Sequence, residues 1–490
     1  MNAPPTAPNP LPLADLPRLV RHLLTSLALV APLGLAIGSA CAVFLWSLQQ
    51  VTLLRWEEPW LLYLLPLAGL VVGLVYHRWG RSAEGGTDLI FDAIHAPVAA
   101  VVDVSPSAAV AAVSPSAAVA AVSPSAAVAA VSPSAAVAAV SPSAAVAAVA
   151  AVSPSAAVAA VPIRMAPLVL FGTLVSHLFG GSAGREGTAL QMGGGIAAAF
   201  AQALRFIGAR ERRMLLLAGM AGGFGGVFGT PIAGAVFALE VIALGRVDSV
   251  SIVPCLVAAI AADWACGAWG VAHTAYQVAP VGGLALGLLV KVVVAGAAFG
   301  LAARFFSTLL LRVHHRLKAL IARPYLRPVI GGIGVIGLAL VFGADYLGLG
   351  VTNPDPHAVS VVSAFHVGGA EPWSWLLKIV FTVMTLASGF KGGEVTPLFF
   401  VGATLGNTLA GVLSAPTDLF AGLGFVAVFG AAANTPLACM IMAVELFGGG
   451  GGPNLIYFAV ACFMAYLFAG QASIYRRRRR DALAEDVQEP

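Results

Sequence analysis

Two short stretches of the chain carry charge where almost everything around them is apolar. Gly184-Arg185-Glu186-Gly187-Thr188 and Gly392-Gly393-Glu394-Val395-Thr396 share the pattern Gly-x-Glu-x-Thr. Each sits at a Gly-rich break just before a long apolar run, which predicts the first turn of a helix that starts inside an apolar environment. The first turn of a helix leaves about four N–H groups unpaired, and the helix dipole adds roughly half a positive charge there. Glycine lets an ion approach the backbone closely. Such a turn is an anion site without a buried lysine. The residues that would supply it are Gly184, Arg185, Gly187 and Thr188 in the first turn, and Gly393, Val395 and Thr396 in the second. Arg185 either steadies its turn or draws anions in.

A glutamate in such a turn has a distinct use. Ionised, its carboxylate occupies the anion site and blocks it. Protonated, it loses that attraction and swings away. Competition between carboxylate and free anion couples anion movement to proton movement, and an ionisable residue at membrane depth is a functional candidate. Glu186 is the candidate gate and proton carrier. Glu394 is a second proton relay or an inner gate.

The elements that position these turns come in two copies. Residues 230–241, TPIAGAVFALEV, match residues 435–446, TPLACMIMAVEL, at Thr230/Thr435, Pro231/Pro436, Ala233/Ala438 and Glu240/Glu445. Two motifs that recur in one order at nearly one spacing predict a duplicated half, an architecture that places a transport site between the halves. Glu240 and Glu445 are either further proton relays or structural helix ends. Several apolar segments, 189–206, 228–245, 397–413 and 436–448, are short or interrupted by Gly and Pro. Broken helices are tolerated at membrane depth only where they are buried in protein or line a cavity.

Composition sets the class. Of 490 residues, 59% are hydrophobic and 10% charged, and mean hydropathy is +0.92. A soluble protein carries about 25% charged residues, so the chain is expected to be an all-α polytopic membrane protein. The run from Leu19 to Leu48 exceeds the roughly 20 residues that cross a bilayer. The expected organisation is a disordered Pro-rich start at 1–18, the first helices at 19–97 and a low-complexity insertion at 98–162. The rest of the first repeat follows at 163–272, the second repeat at 273–475 and a tail at 476–490. The insertion is built from SPSAAVAAV, beginning at Ser105, and its regularly spaced prolines interrupt any helix. Arg210-Glu211-Arg212-Arg213 reads as a short polar loop. Arg476 to Arg480, straight after the last apolar run, place the C-terminus in the cytoplasm of a cell membrane rather than on a nucleic acid. The start lacks the features of a cleaved signal peptide. Five cysteines without a CxxC pair are small buried residues. No metal or cofactor is implied.

Residues 180–184, GGSAG, match the G-x-S-x-G elbow of hydrolases, with His177 nearby. That motif needs a strand before it. The preceding RMAPLVLFGTLVSHLF predicts a membrane helix, so the chain is not expected to be an enzyme.

At these residues the chain resembles the CLC chloride channel and transporter family. GSAGREGTALQMG resembles that family's GREGP-type motif, GFKGGEVTPLF its GxFxP-type motif, and TPIAGAVFALE its Pro-x-Ala-Gly segment. The resemblance spans about 19–475 apart from the insertion. It implies two inverted repeats of tilted, broken helices and a homodimer with one pathway per subunit. By that resemblance Glu186 takes the place of the external gating glutamate. The backbone amides around Glu394 and Val395 take the place of central-site donors. Tyr475, in FAGQASIY, takes the place of the central tyrosine; otherwise it is an interfacial aromatic.

The departures from the family's pattern are specific. GGTDLIFDAIH at 85–95 stands where the family carries GSGIP, which leaves Thr87 or Asp88 nearest to the central serine. Val241 stands at the internal proton glutamate. GREGT with GGEVTP resembles the fluoride-transporting branch, which exchanges fluoride for protons. Fluoride is small and strongly hydrated, and stripping its water demands strong replacement donors. Thr188 in place of proline restores an N–H and adds a hydroxyl, and Thr396 offers another. On this hypothesis the Thr188→Pro protein loses preference for fluoride over chloride in liposomes; an unchanged preference would sink it. The expected function is fluoride export in exchange for protons. The alternatives are a chloride/proton exchanger or a passive channel of the same fold.

Overall fold

The computed structural model describes residues 16–95, 161–204, 207–242 and 249–475. The SPSAAVAAV insertion, the first fifteen residues and the arginine-rich tail lie outside the described residues. Among the described residues the regular structure is helical. The order is α1 (Leu16–Glu57), α2 (Leu65–Trp79), α3 (Thr87–His95), α4 (Met165–Leu178), α5 (Glu186–Ala203), α6 (Ala209–Phe228), α7 (Pro231–Glu240) and α8 (Ile252–Ala268). There follow α9 (Leu286–Leu320), α10 (Arg327–Phe342), α11 (Ser374–Ala387), α12 (Val395–Leu413), α13 (Thr417–Ala433), α14 (Pro436–Leu446) and α15 (Leu455–Ala469). Two expected boundaries move. Leu16 already belongs to α1, inside the stretch expected to be unstructured, and Arg210–Arg213 form the first turn of α6 rather than a loop. The three arginines fall within the first turns of a helix whose remaining length is deeply buried, so they mark its solvent end.

The duplication is visible in the element order. Helices α11 to α15 start 203 to 209 residues after α4 to α8, while α9 and α10 start 270 and 262 residues after α1 and α2. The step between these offsets falls across the low-complexity segment. The chain therefore has two structurally equivalent halves, and they meet with opposed chain directions. At the break before α5 and the break before α12, Gly184 N–H donates to Gly393 O at 2.6 Å and Gly393 N–H donates to Gly184 O at 2.7 Å. This antiparallel bridge is the one extended pairing among the described residues.

Helix crossings in each half are built on glycine. A Cβ on Gly193 of α5 would stand 2.1 Å from Gly219 O of α6, and a Cβ on Gly402 of α12 would stand 2.0 Å from Gly424 O of α13. Without a strong hydrophobic drive between helices in lipid, small residues that let backbones touch supply the packing. Among the described residues five helices are long and apolar enough to cross a membrane, and others are much shorter. Helix α7 has 10 residues and so covers about 15 Å at 1.5 Å per residue, half of a ~30 Å hydrocarbon layer. Large apolar side chains such as Leu286, Val290, Leu340 and Val341 lie exposed on the outer helices, as a lipid-facing wall requires.

Candidate functional site

The Gly184–Gly393 bridge sets the first turns of α5 and α12 against each other. Gly392 adopts φ +156°, and a Cβ there would stand 2.4 Å from the Cβ of Ala183, so a bare backbone is needed for the approach. Glu186 opens α5, yet its carboxylate does not stay with its own helix. Oε2 accepts the N–H of Thr396 at 3.0 Å and the N–H of Arg185 at 3.1 Å, and the Thr396 hydroxyl donates to the same carboxylate. Arg185 Nε lies 3.4 Å from Oε1. Glu186 is 1% exposed. A negative group thus sits in the first turn of α12, where the unpaired amides and the dipole favour it.

Glu394 mirrors this arrangement incompletely. It caps α12, and a Cβ added to Gly187 in the first turn of α5 would lie 3.5 Å from its Oε2. The carboxylate of each repeat therefore leans toward the first turn of the other repeat's helix. Only Glu186 is hydrogen-bonded there by side-chain and backbone donors of the opposite repeat.

Two cavities approach this centre and share no lining residue. One, about 820 Å³, is lined by Arg185, His273, Trp46, Trp56 and Trp269 among others. The other, about 230 Å³, is lined by Glu394, Tyr475, Thr87, Asp88, Gln191 and Lys391 among others. A void of about 20 Å³ beside Glu186 is bounded by Arg185, Thr396, Tyr276, Phe399 and Phe425, enough for one water-sized particle. Glu186 thus occupies the constriction next to the larger cavity, and Glu394 faces the smaller one. The sequence candidates Thr87, Asp88 and Tyr475 come together at that smaller cavity. Tyr475 is buried, edge-on to Phe91 with centroids 5.1 Å apart, so it is a wall of the cavity rather than an interfacial aromatic.

Other candidates are placed differently. The hydroxyl of Thr188 shares a 2.7 Å hydrogen bond with that of Thr173 on α4; it ties two helices together, while the hydroxyl on the Glu186 carboxylate belongs to Thr396. Glu240 and Glu445 line none of these three cavities. Glu445 accepts the N–H groups of Ile232 and Ala233 at 2.9 and 2.8 Å; Glu240 accepts those of Leu437 and Ala438 at 3.0 and 2.8 Å. Each closes one short helix and caps the start of the other, so of the two expected roles they take the structural one.

The hydrolase elbow dissolves. Ser182 shares a hydrogen bond with Thr382 Oγ1 at 3.0 Å. Both ring nitrogens of His177 face backbone carbonyls, Thr173 O at 2.8 Å and Ala183 O at 3.0 Å. Among the described residues no base reaches the serine, and helix α4, not a strand, precedes it.

Sequence reasoning missed Lys391 and its partner Tyr76, whose ring centroid lies 4.0 Å from Nζ. The signal for the lysine was present, a charged residue inside the GFKGGEVTP break. For Tyr76, one aromatic in a long apolar run, there was none.

Comparison with known proteins places this geometry. The model for the voltage gated chloride channel family matches residues 130–470. The chain is 41% identical over 460 residues to the chloride/fluoride channel protein of Pseudomonas syringae pv. tomato, covering 92% of this chain and 86% of that one. It is 26% identical over 299 residues to the H(+)/Cl(-) exchange transporter ClcA of Vibrio parahaemolyticus, covering 58% of this chain and 62% of the relative. Among solved structures it resembles a CLC-type fluoride/proton antiporter with TM-score 0.75 and 28% identity, covering 93% of this chain and 98% of that one. A slow cyanobacterial Cl-/H+ antiporter, at TM-score 0.67 and 16% identity over 94% and 99% of the two chains, shares the fold. Paired Gly-x-Glu-x-Thr turns, duplicated halves and a family match over most of the chain agree: the chain belongs to the voltage-gated chloride channel family, with that family's two inverted repeats of broken helices.

Proposed function

We propose that this protein is a secondary active transporter that exports fluoride in exchange for protons. The observation that carries the reading is the Glu186 carboxylate seated in the first turn of α12, held by two donors of Thr396 and one backbone donor of Arg185. A free anion would need those same donors. Anion entry therefore requires the carboxylate to leave, and it leaves most readily as a neutral acid, since protonation removes the charge that binds it. One proton moves against one anion at a single constriction, without an enzymatic step.

Fluoride as the anion is supported by the donor set. A compact ion with costly dehydration needs strong, closely spaced donors, and Thr396 offers both N–H and hydroxyl at one point. The names of two relatives, a chloride/fluoride channel protein and a CLC-type fluoride/proton antiporter, point the same way. The chloride/proton exchange named for the Vibrio relative is the alternative; a passive channel would let anions run down their gradient without moving protons. We place the Tyr475 side toward the cytoplasm of a cell membrane, because Arg476 to Arg480 follow it directly. The working unit in this reading is a homodimer in the lipid bilayer, each subunit with its own pathway.

The deciding experiment is flux from liposomes read by fluoride and chloride electrodes with pH recorded in parallel. Fluoride movement driven uphill by a proton gradient, with little chloride movement, is expected. Chloride moved equally well removes the specificity, and anion flow without proton movement removes the antiport.

A further inference from the structure

Lys391 has no part in the scheme above, yet it stands three residues before Glu394 and lines the same 230 Å³ cavity. Its placement is built from three elements. The ammonium lies over the ring of Tyr76 on α2, 4.0 Å from the centroid, a cation–π contact. Gly172 on α4 makes room for the stem, because a Cβ there would stand 2.8 Å from both Cβ and Cγ of Lys391 and 3.4 Å from the Tyr76 ring. Among the described residues no carboxylate oxygen lies within ion-pair distance of Nζ. The cavity instead presents carboxylates at longer range: Glu84, Asp88 at the start of α3, and Glu394 itself. His314 of α9 and Tyr475 complete the titratable lining.

We propose that Lys391 is a positioning residue: the counter-charge that holds Glu394 ionised and so sets the pH at which Glu394 takes up a proton from the Tyr475-side cavity. Burial and like-charge repulsion from Asp88 push Glu394 toward its neutral form, whereas the Lys391 ammonium favours the carboxylate. Lys391 is the one lysine on this cavity, and pinning it to Tyr76 keeps it beside Glu394 without neutralising it in a contact pair. The proton comes from cavity water and ends on a Glu394 oxygen; Lys391 keeps its own three. The inference rests on the transport reading and takes Glu394 in one of its two expected roles, a second proton relay, but its primary test does not depend on transport.

That test is an infrared pH titration of the purified full-length protein in lipid nanodiscs. The carboxylic acid C=O band of Glu394 is assigned by its loss in Glu394→Gln. In Lys391→Met and Lys391→Gln the titration midpoint is expected to rise by about one pH unit or more, a tenfold gain in proton affinity, in keeping with the loss of an opposite charge on the same cavity. Lys391→Arg is expected to restore it. Identical midpoints in wild type and in whichever neutral variant folds would overturn the proposal. So would an arginine variant shifted as far as methionine, since packing rather than charge would then be at work. A wild type that carries fluoride without protons in liposomes counts against the antiport alone and leaves the titration to decide for Lys391.

Discussion

Replacing Glu186 by glutamine tests the gate directly, because it keeps the shape and removes the charge. Three donors face the carboxylate: Thr396 N–H, Thr396 hydroxyl and Arg185 N–H. A hydrogen bond to an ionised acceptor contributes about 1.5–3 kcal/mol and one to a neutral acceptor about 0.5–1.5 kcal/mol. Each donor therefore holds the carboxylate more firmly than the amide by about 1 kcal/mol, and the set by about 3 kcal/mol. The Arg185 guanidinium, 3.4 Å away, acts in the same direction. A competing anion is relieved of that difference, so fluoride affinity should rise on the order of a hundredfold, at 1.4 kcal/mol per factor of ten. Calorimetric titration of fluoride into purified protein reads this directly. The pH dependence gives a second readout with a definite sign. In the wild type acidification protonates the competitor, so fluoride affinity rises as pH falls; in Glu186→Gln there is no competitor to protonate and the affinity is flat with pH. An affinity within threefold of wild type at neutral pH, or an unchanged pH slope, would refute the competition mechanism. So would a glutamine variant that still drives fluoride uphill on a proton gradient.

The remaining predictions concern neighbouring parts of the site and frame. Thr396→Val removes the hydroxyl on the anion site and should lower the preference for fluoride over chloride by about tenfold, whereas Thr188→Val, which breaks only the bond to Thr173, should leave it unchanged; selective-electrode flux separates the two. Glu240→Ala and Glu445→Ala each strip the cap from two helical amides, so each should cost about 1–2 kcal/mol of stability. Melting of the detergent-solubilised protein should fall by a few degrees while flux per folded molecule persists, the reverse of what loss of a proton relay would give. Gly402→Val forces a side chain into the backbone of α13, an overpacking cost of about 3 kcal/mol or more; gel filtration should show little folded protein.

Much of the frame was legible because it rests on chemistry that leaves local traces. The GREGT and GGEVT breaks announce two helix starts through glycine and charge in an apolar chain, and their recurrence announces two halves. What the sequence could not carry was direction across space. Glu186 and Thr396 lie 210 residues apart, and nothing in either stretch says that the carboxylate of one repeat enters the first turn of the other. The same blindness covers the hydroxyl of Thr188. As a residue type it is a good extra donor, but its hydroxyl is spent on Thr173, fifteen residues earlier on a different helix. Glu240 and Glu445 stayed open for the same reason: a carboxylate at the end of a membrane helix admits a relay or a structural role, and the helix start it caps lies in the opposite repeat.

That last pair bears on how the central pair differs. The structure has two layers of reciprocal exchange between repeats, in which a glutamate from one half serves a helix start in the other. In the layer of Glu240 and Glu445 both carboxylates are matched bidentately to two amides each, at 2.8–3.0 Å. Each carboxylate oxygen accepts one amide, and neither residue lines any of the three cavities at the site, so the arrangement locks α7 to α14. In the layer of Glu186 and Glu394 the symmetry is broken. Glu186 has the strong donors of Thr396, while its counterpart Glu394 faces Gly187, which has no side chain to donate, and itself lines the smaller cavity. The equivalent of Thr396 in the first repeat is Thr188, and its hydroxyl is withheld by Thr173. In the proposed mechanism one helix start is therefore the site that a carboxylate and an anion contest, and the other is left for a carboxylate to meet protons. Restoring symmetry by Thr173→Val, which frees the Thr188 hydroxyl, should strengthen the hold of the first repeat on Glu394 and slow proton-coupled flux. Flux at the wild-type rate with wild-type coupling would show that the asymmetry of the two threonines is not what divides their roles.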